Sequence, residues 1–338
     1  MFQRSLIYLT VLSLATASAL AQTNSAYPKG VEVREYTGWQ SSITLDSGEV
    51  VAAITPAAGG RVMRYALNYD NVIYEKNDTA GRVLTDPNDQ WSFGGYQLDI
   101  GPELRGIPVH DELWRGVYSW FIPGPYSARV TSKPDQNTGI ELTKEFTMDP
   151  DNGDLGIVQS MKNISDKDVS YCLWDRTLCL SGGFAIIPVN RRSQFENGWA
   201  MRVSDQDNEW HYDGNMEAPR EVEVMKNHVI IHCQGPEKKI GVDSTAGWIA
   251  YARGRLLFVK YFPHTPGGNY SDGGCTAEVF FNETFAEIQT LSPEVTLKPG
   301  ESYSFPEQWV IIELDRAVNT HRDARKILDR IPPSPFAR

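Results

Sequence analysis

The chain has 338 residues, 41% hydrophobic and 22% charged, with 28 Gly, 20 Pro and a formal net charge of −11. This composition is globular, leaves ample apolar material for a core, and excludes collagen, coiled coil and a disordered chain. The acidic balance, with no Lys/Arg run or basic tail, excludes nucleic acid as a partner, because phosphate neutralisation needs clustered cations; a neutral or mildly acidic small molecule fits better.

Residues 1–21 read as a signal peptide. Arg4 supplies a charged start, residues 6–15 an apolar stretch, and Ala19-Leu20-Ala21 a small-residue cleavage site. The mature chain, residues 22–338, is therefore expected to be periplasmic or secreted. No membrane insertion is expected, since nothing later reaches the length of a membrane helix. Export permits disulfides, and Cys172, Cys179, Cys233 and Cys275 allow three complete pairings, so one structural disulfide is a standing expectation. None of the four lies in a CxxC spacing. Cys172 and Cys179 are an odd number of residues apart in a strand-like run, which puts them on opposite faces.

Short alternating or apolar runs separated by Gly, Pro, Asn and Asp then follow one another. Residues 43–45 and 50–54 flank Asp46-Ser47-Gly48, a hairpin signal. Residues 61–67, 141–147, 155–162, 169–180, 229–233, 248–252, 256–261 and 276–281 continue the series. With no helical periodicity between them, they predict an all-β antiparallel sandwich or barrel. After Asp315, Ala324, Ile327, Leu328 and Ile331 recur at helical spacing before Pro332-Pro333, predicting a C-terminal amphipathic helix that covers a sheet. No linker or repeat divides the body, so residues 22–338 read as a single domain. The longest non-strand stretch, residues 86–115, is expected to be a loop, the kind of segment that carries sites on a rigid β scaffold.

Several aromatic residues sit beside charge: Trp91, Trp114 and Trp120 in or near that stretch, Trp199, and the run Trp174-Asp175-Arg176. A ring that stacks on C–H groups, with carboxylate or guanidinium partners that bind hydroxyls, suits a carbohydrate; the alternative for each Trp is core packing. None of the six histidines has HExxH or HxH spacing, so neither a metal nor a cofactor is expected. His110 and His264 occupy loop positions near acids and are the proton-transfer candidates. Glu287 stands out as a carboxylate in the apolar run 285–293, as a general base or as a solvent-facing residue of an alternating strand.

The run Glu287-Ile288-Gln289-Thr290-Leu291-Ser292-Pro293, followed by Leu297-Lys298-Pro299-Gly300-Glu301-Ser302-Tyr303, resembles the C-terminal signature of aldose 1-epimerases and galactose mutarotase-like proteins. Thr55 to Arg61 resembles their early Pro-x-x-Gly-Gly strand entry, Gly94-Gly95 through His110 their Gly-Gly to His loop, and Asn163 to Val169 their turn before the mid-chain strand. Within the superfamily, Gly59-Gly60-Arg61, the run 243–248 and Asp272-Gly273-Gly274-Cys275 are most similar to the bacterial DUF4380 branch.

The resemblance implies a β-supersandwich with a carbohydrate groove and interconversion of sugar anomers. Glu287 would be the base, His110 one of two family histidines, and Arg61, Trp91, Trp174, Asp175 and Arg176 substrate contacts. At the second histidine's position the chain reads Trp174-Asp175-Arg176-Thr177, so His264 would have to supply the acid from another loop. Two alternatives stand beside the epimerase: a non-catalytic glycan-binding module, and a lyase- or hydrolase-like protein for uronate polymers.

Overall fold

The computed structural model describes residues 26–85 and 92–336. Residues 1–21, read as a signal peptide, and Trp91 lie outside the described residues. Two antiparallel sheets face one another. The first has 13 strands, with Val31–Tyr36, Trp39–Asp46, Val50–Thr55, Arg61–Leu67, Tyr96–Gly101, Val169–Leu180, Phe285–Leu291, Ala277–Phe281, Lys238–Val242, Ala200–Ser204 and Trp210–Asp213 side by side in that order. The second has nine, ordered Val222–Val224, His228–His232, Phe184–Pro188, Trp248–Tyr261, Ser302–Val318, Leu155–Asn163, Ile140–Met148, Ser127–Thr131 and Ser119–Phe121.

Period-two patterning assigns the inner faces. In Leu155–Asn163 every second residue from Leu155 is buried, and Ile140–Met148 repeats the pattern. Between the sheets the rings of Tyr65, Tyr96, Phe258 and Trp309 meet edge to face, with centroids 5.1 to 5.9 Å apart. Phe184–Pro188, by contrast, is buried on both faces. Its outer side, with Ile230, Leu257, Val259 and Leu314, packs beneath Ala324 and Ile327. Those two residues belong to the expected C-terminal helix and its end. The helix is shorter than the periodicity suggests: it spans His321–Lys326, capped by the Thr320 side chain accepting from the Asp323 amide, and a 3-10 turn Leu328–Arg330 follows.

The hairpin at Asp46-Ser47-Gly48 forms as expected, with Leu45 opposite Ala52 and Gly48 at φ +105°. Two expectations are overturned. Residues 86–115 are not all loop: Tyr96–Gly101 is a fully buried strand near the middle of the first sheet, and Asp111–Trp114 is a short helix. The dense Gly and Pro flanking Tyr96–Gly101 hide a strand whose own pattern alternates. The expected disulfide is also absent, all four cysteines being free and buried. Cys172 and Cys179 do take opposite faces. Cys172 lies under Gly101, where a Cβ would come within 2.5 Å of its Sγ, and Cys179 lies in the inter-sheet core.

Candidate functional site

The site is built on the outer face of three adjacent strands of the first sheet. Trp174 pairs with Asp99 on one side and Leu291 on the other, Arg176 with Gln97 and Gln289, and Leu178 with Glu287. Directly opposed residues share a face. Gln97, Asp99, Trp174, Arg176, Glu287 and Gln289 therefore all point outward, while Leu98, Leu173, Asp175, Thr177 and Ile288 point toward the second sheet.

Asp99 is the hub. Its Oδ1 accepts from the Ile100 amide at 2.9 Å and lies 2.7 Å from His110 Nε2, and its Oδ2 accepts from Arg176 Nη2 at 2.6 Å. Burial acts to raise the Asp99 pKa, but the Arg176 charge and the His110 contact outweigh it and hold the carboxyl at about 2. The same partnership acts on His110. Burial favours the neutral ring, yet the hydrogen bond and charge of Asp99 lift it to about 9, so an imidazolium is present at neutral pH. The other ring nitrogen, Nδ1, is 2.6 Å from the Pro108 carbonyl oxygen. Both N–H groups are thus committed to the protein.

Arg61 anchors the opposite side of the face. It is wholly buried, donating from Nη1 to the Gly94 carbonyl at 3.0 Å and from Nη2 to the Trp114 carbonyl at 3.2 Å, while its Nε has no partner among the described residues. Burial and the neighbouring Arg176 charge bring its pKa down to about 9, against the pull of Asp99 and Glu287. The Gly59-Gly60 turn makes this packing feasible. Gly59 has φ +72°, and a Cβ there would sit 2.4 Å from the Trp114 carbonyl oxygen. Trp114, carried back over the sheet by the helix that follows His110, donates from Nε1 to Gln97 Oε1 at 2.5 Å. Glu287 Oε2 accepts from Gln289 Nε2 at 2.6 Å, and Gln289 Oε1 accepts from Trp174 Nε1 at 3.0 Å.

A second polar group adjoins the first. Glu103 accepts from Lys239 Nζ at 2.6 Å and from Arg202, and Lys239 lies 2.7 Å from Glu278, which accepts from Tyr212 Oη at 2.6 Å. Burial lifts Glu278 to about 7 despite Lys239. The Asp272 carboxylate fixes the loop holding Glu103 by accepting from the amides of Glu103 and Leu104, each at 2.8 Å. Among the described residues no group of three or more His, Cys, Asp or Glu is placed to hold a metal ion.

Solved structures share this architecture. A galactose mutarotase-like protein from Lactobacillus casei superposes with a TM-score of 0.55 at 11% identity, covering 80% of this chain and 100% of its own. One from Clostridium acetobutylicum gives 0.54 at 12%, covering 81% and 95%. The fold is galactose mutarotase-like. A TPR-domain containing protein from Parabacteroides distasonis also matches, with a TM-score of 0.56 at 14% identity over 88% of this chain and 52% of that one. No protein-family model and no curated protein matches the chain, so the narrower DUF4380 resemblance gains no support.

On this mutarotase-like scaffold the residues singled out in the sequence divide. Arg61, His110, Trp174, Arg176 and Glu287 share the outer face or its rim. Asp175 does not: strand alternation turns it inward, where it lies 2.7 Å from Lys260 Nζ and accepts from Thr177 Oγ1 at 2.8 Å, sealed from solvent. Burial and the adjacent Glu307 push its carboxyl well up. It cannot be a substrate contact. His264 is also elsewhere, stacked on Tyr270 at 5.7 Å beside a separate cavity lined by Asn190, Arg192 and Thr245. The loop of His264 meets the chain beyond the far end of Glu287's strand, the Asn269 carbonyl accepting from the Glu294 amide at 2.8 Å, and the strand from Glu287 to its end at Leu291 already spans roughly 14 Å at the rise of a strand. The two do not converge as an acid–base pair.

Trp174 shares the face but offers little ring surface. It is 6% exposed, and Arg176 and Lys239 each sit 4.6 Å from its ring centroid. Residues that the sequence reading missed, Asp99, Gln97, Gln289, Glu103 and Lys239, do much of the organising. The alternation in Tyr96-Gln97-Leu98-Asp99-Ile100 was the available signal for the first two.

Proposed function

We propose that this chain is an exported carbohydrate-binding protein whose ligand lies on the outer face bounded by Arg61, His110, Arg176 and Glu287. The observation that carries the reading is the hydrogen-bonded set of charged and amide side chains, Asp99–Arg176–His110 and Glu287–Gln289–Trp174, held on one sheet face of a mutarotase-like fold. Such groups bind hydroxyls directionally and are held in place before a ligand arrives. The N-terminal sequence pattern supports export.

A mutarotase reaction on this face would take the anomeric proton to Glu287 while an imidazolium protonates the ring oxygen. Glu287, on the outer face beside Gln289, would take the first role. His110 carries the proton for the second, but both of its N–H groups are bound to Asp99 and Pro108, which favours capture of a sugar without turnover. The partly exposed guanidinium of Arg176 brings uronic acids into the ligand panel beside neutral sugars.

The test is anomer exchange followed by NMR on neutral hexoses, pentoses and uronic acids, with wild-type protein and Glu287→Gln. Ligand-induced line broadening without accelerated exchange is the expected result. Acceleration lost in Glu287→Gln would establish a mutarotase instead, and the absence of both effects across the panel would overturn the carbohydrate reading.

A further inference from the structure

We infer that the outer face accommodates a chain of linked sugar rings rather than a single ring, and that Trp210 is the stacking platform for a ring far from Arg176. The inference rests on the carbohydrate reading above. It begins from an imbalance. The aromatic residue at the centre of the face, Trp174, is covered by two cations, while Trp210 is 50% exposed at the sheet edge.

Trp210 is held in a specific pose. In the hairpin formed by Ala200–Ser204 and Trp210–Asp213, Ser204 opposes Trp210 and Arg202 opposes Tyr212, so Trp210, Tyr212 and Arg202 share one face. The Arg202 guanidinium lies 4.3 Å from the Trp210 ring centroid and is itself ion-paired to Glu103. One side of the indole is therefore backed by a fixed, largely buried cation. The other side is left for a ligand, the arrangement in which an aromatic ring binds a sugar's C–H face at small ordering cost.

A chain of buried contacts ties the Trp210 strand to the central site. Tyr212 reaches from the same strand to Glu278, passing over Gly241, where a Cβ would come within 2.8 Å of its ring. Glu278 contacts Lys239, and Lys239 covers Trp174. The strands carrying Trp174 and Trp210 are five steps apart in the sheet, roughly 24 Å at the usual strand spacing. That span exceeds one sugar ring. The charged side chains along it that keep an exposed edge are Arg176, Glu103 and Arg202, while the Lys239–Glu278 pair lies buried beneath them, so a glycan would run over a polar surface of mixed sign without touching that pair.

The experiment is calorimetric titration with mono- to hexasaccharide ladders of galactan, glucan and oligogalacturonate, using wild type, Trp210→Ala and Trp210→Phe, with thermal melting to verify folding. Affinity for one ladder should rise with length by about tenfold, a gain of the size aromatic stacking supplies. Trp210→Ala should bring the long members back to the monosaccharide value, and Trp210→Phe should restore most of the gain. Monosaccharide binding with no length dependence, or a length dependence untouched in Trp210→Ala, overturns the extended site while leaving the carbohydrate reading in place. No binding by any ladder member or monosaccharide removes both.

Discussion

The strand Val169–Leu180 carries a charged cluster on each of its faces, and the two are built differently. On the inner side Asp175, Lys260 and Glu307 are sealed between the sheets with no solvent exposure of their side chains. On the outer side Asp99, His110 and Arg176 keep 5%, 17% and 18% of theirs. Both clusters satisfy a carboxylate with a cation at 2.6 to 2.7 Å. The inner set has exchanged all its hydration for protein partners, so its worth is architectural, and removing one member strands another. The outer set retains a wet edge at His110 and Arg176, so it can still exchange water for a ligand.

The largest test of this difference is Lys260→Met. Asp175 and Glu307 then lose their cation in the core, and urea denaturation should show a loss of about 3–5 kcal/mol. Replacing Asp175, Lys260 and Glu307 together by apolar residues should recover most of that loss, because no charge is left unpaired. A single variant as stable as wild type would mean that the inner cluster is not sealed.

The outer cluster should instead reveal itself through pH. The folded pKa of His110, about 9, lies above the ordinary 6.5, so its contribution of about 3 kcal/mol is fully present below pH 6.5 and is lost as pH rises through 9. Asp99 has the opposite sign. Its folded value of about 2 lies below the ordinary 3.8, so its contribution is present above pH 3.8 and fades as pH falls toward 2. Denaturation between pH 6 and 9.5 should lose its alkaline decline in His110→Gln. An unchanged decline would assign it to other groups.

The smallest expected effect on stability is that of Glu287→Gln. The side chain is half-buried and, among the described residues, hydrogen-bonded to Gln289 Nε2 alone, so the unfolding free energy should change by about 1 kcal/mol or less. Thermal melting checks this. A large loss would make Glu287 a structural residue and undercut its place in the site.

The same strand shows what was legible in the sequence. Alternation around Trp174-Asp175-Arg176 contains the information that Asp175 turns away from its neighbours, yet short charged runs read together as one patch unless the pleat is applied to them. Arg61 and Glu287 were found through short motifs that fix a position on the sheet. Asp99 was hidden because its strand is bracketed by Gly94-Gly95 and Gly101-Pro102, which punctuate like a loop. The pairing of Lys239 with Glu103 joins residues 136 positions apart, a contact that only the sheet order brings about. His264 stands in a Pro- and Gly-rich loop, the setting of many proton-transfer residues, whereas the fold sets it against Tyr270.

The four thiols lie buried and unjoined, and burial pushes each up, Cys233 to about 12, so none is a ready thiolate. No covalent cross-link among them has to be made for the sheets to assemble. The described fold is accordingly indifferent to the glutathione poise around it: it can form in a reducing cytoplasm or an oxidising exterior, and neither an oxidant nor a disulfide isomerase is a condition of its maturation.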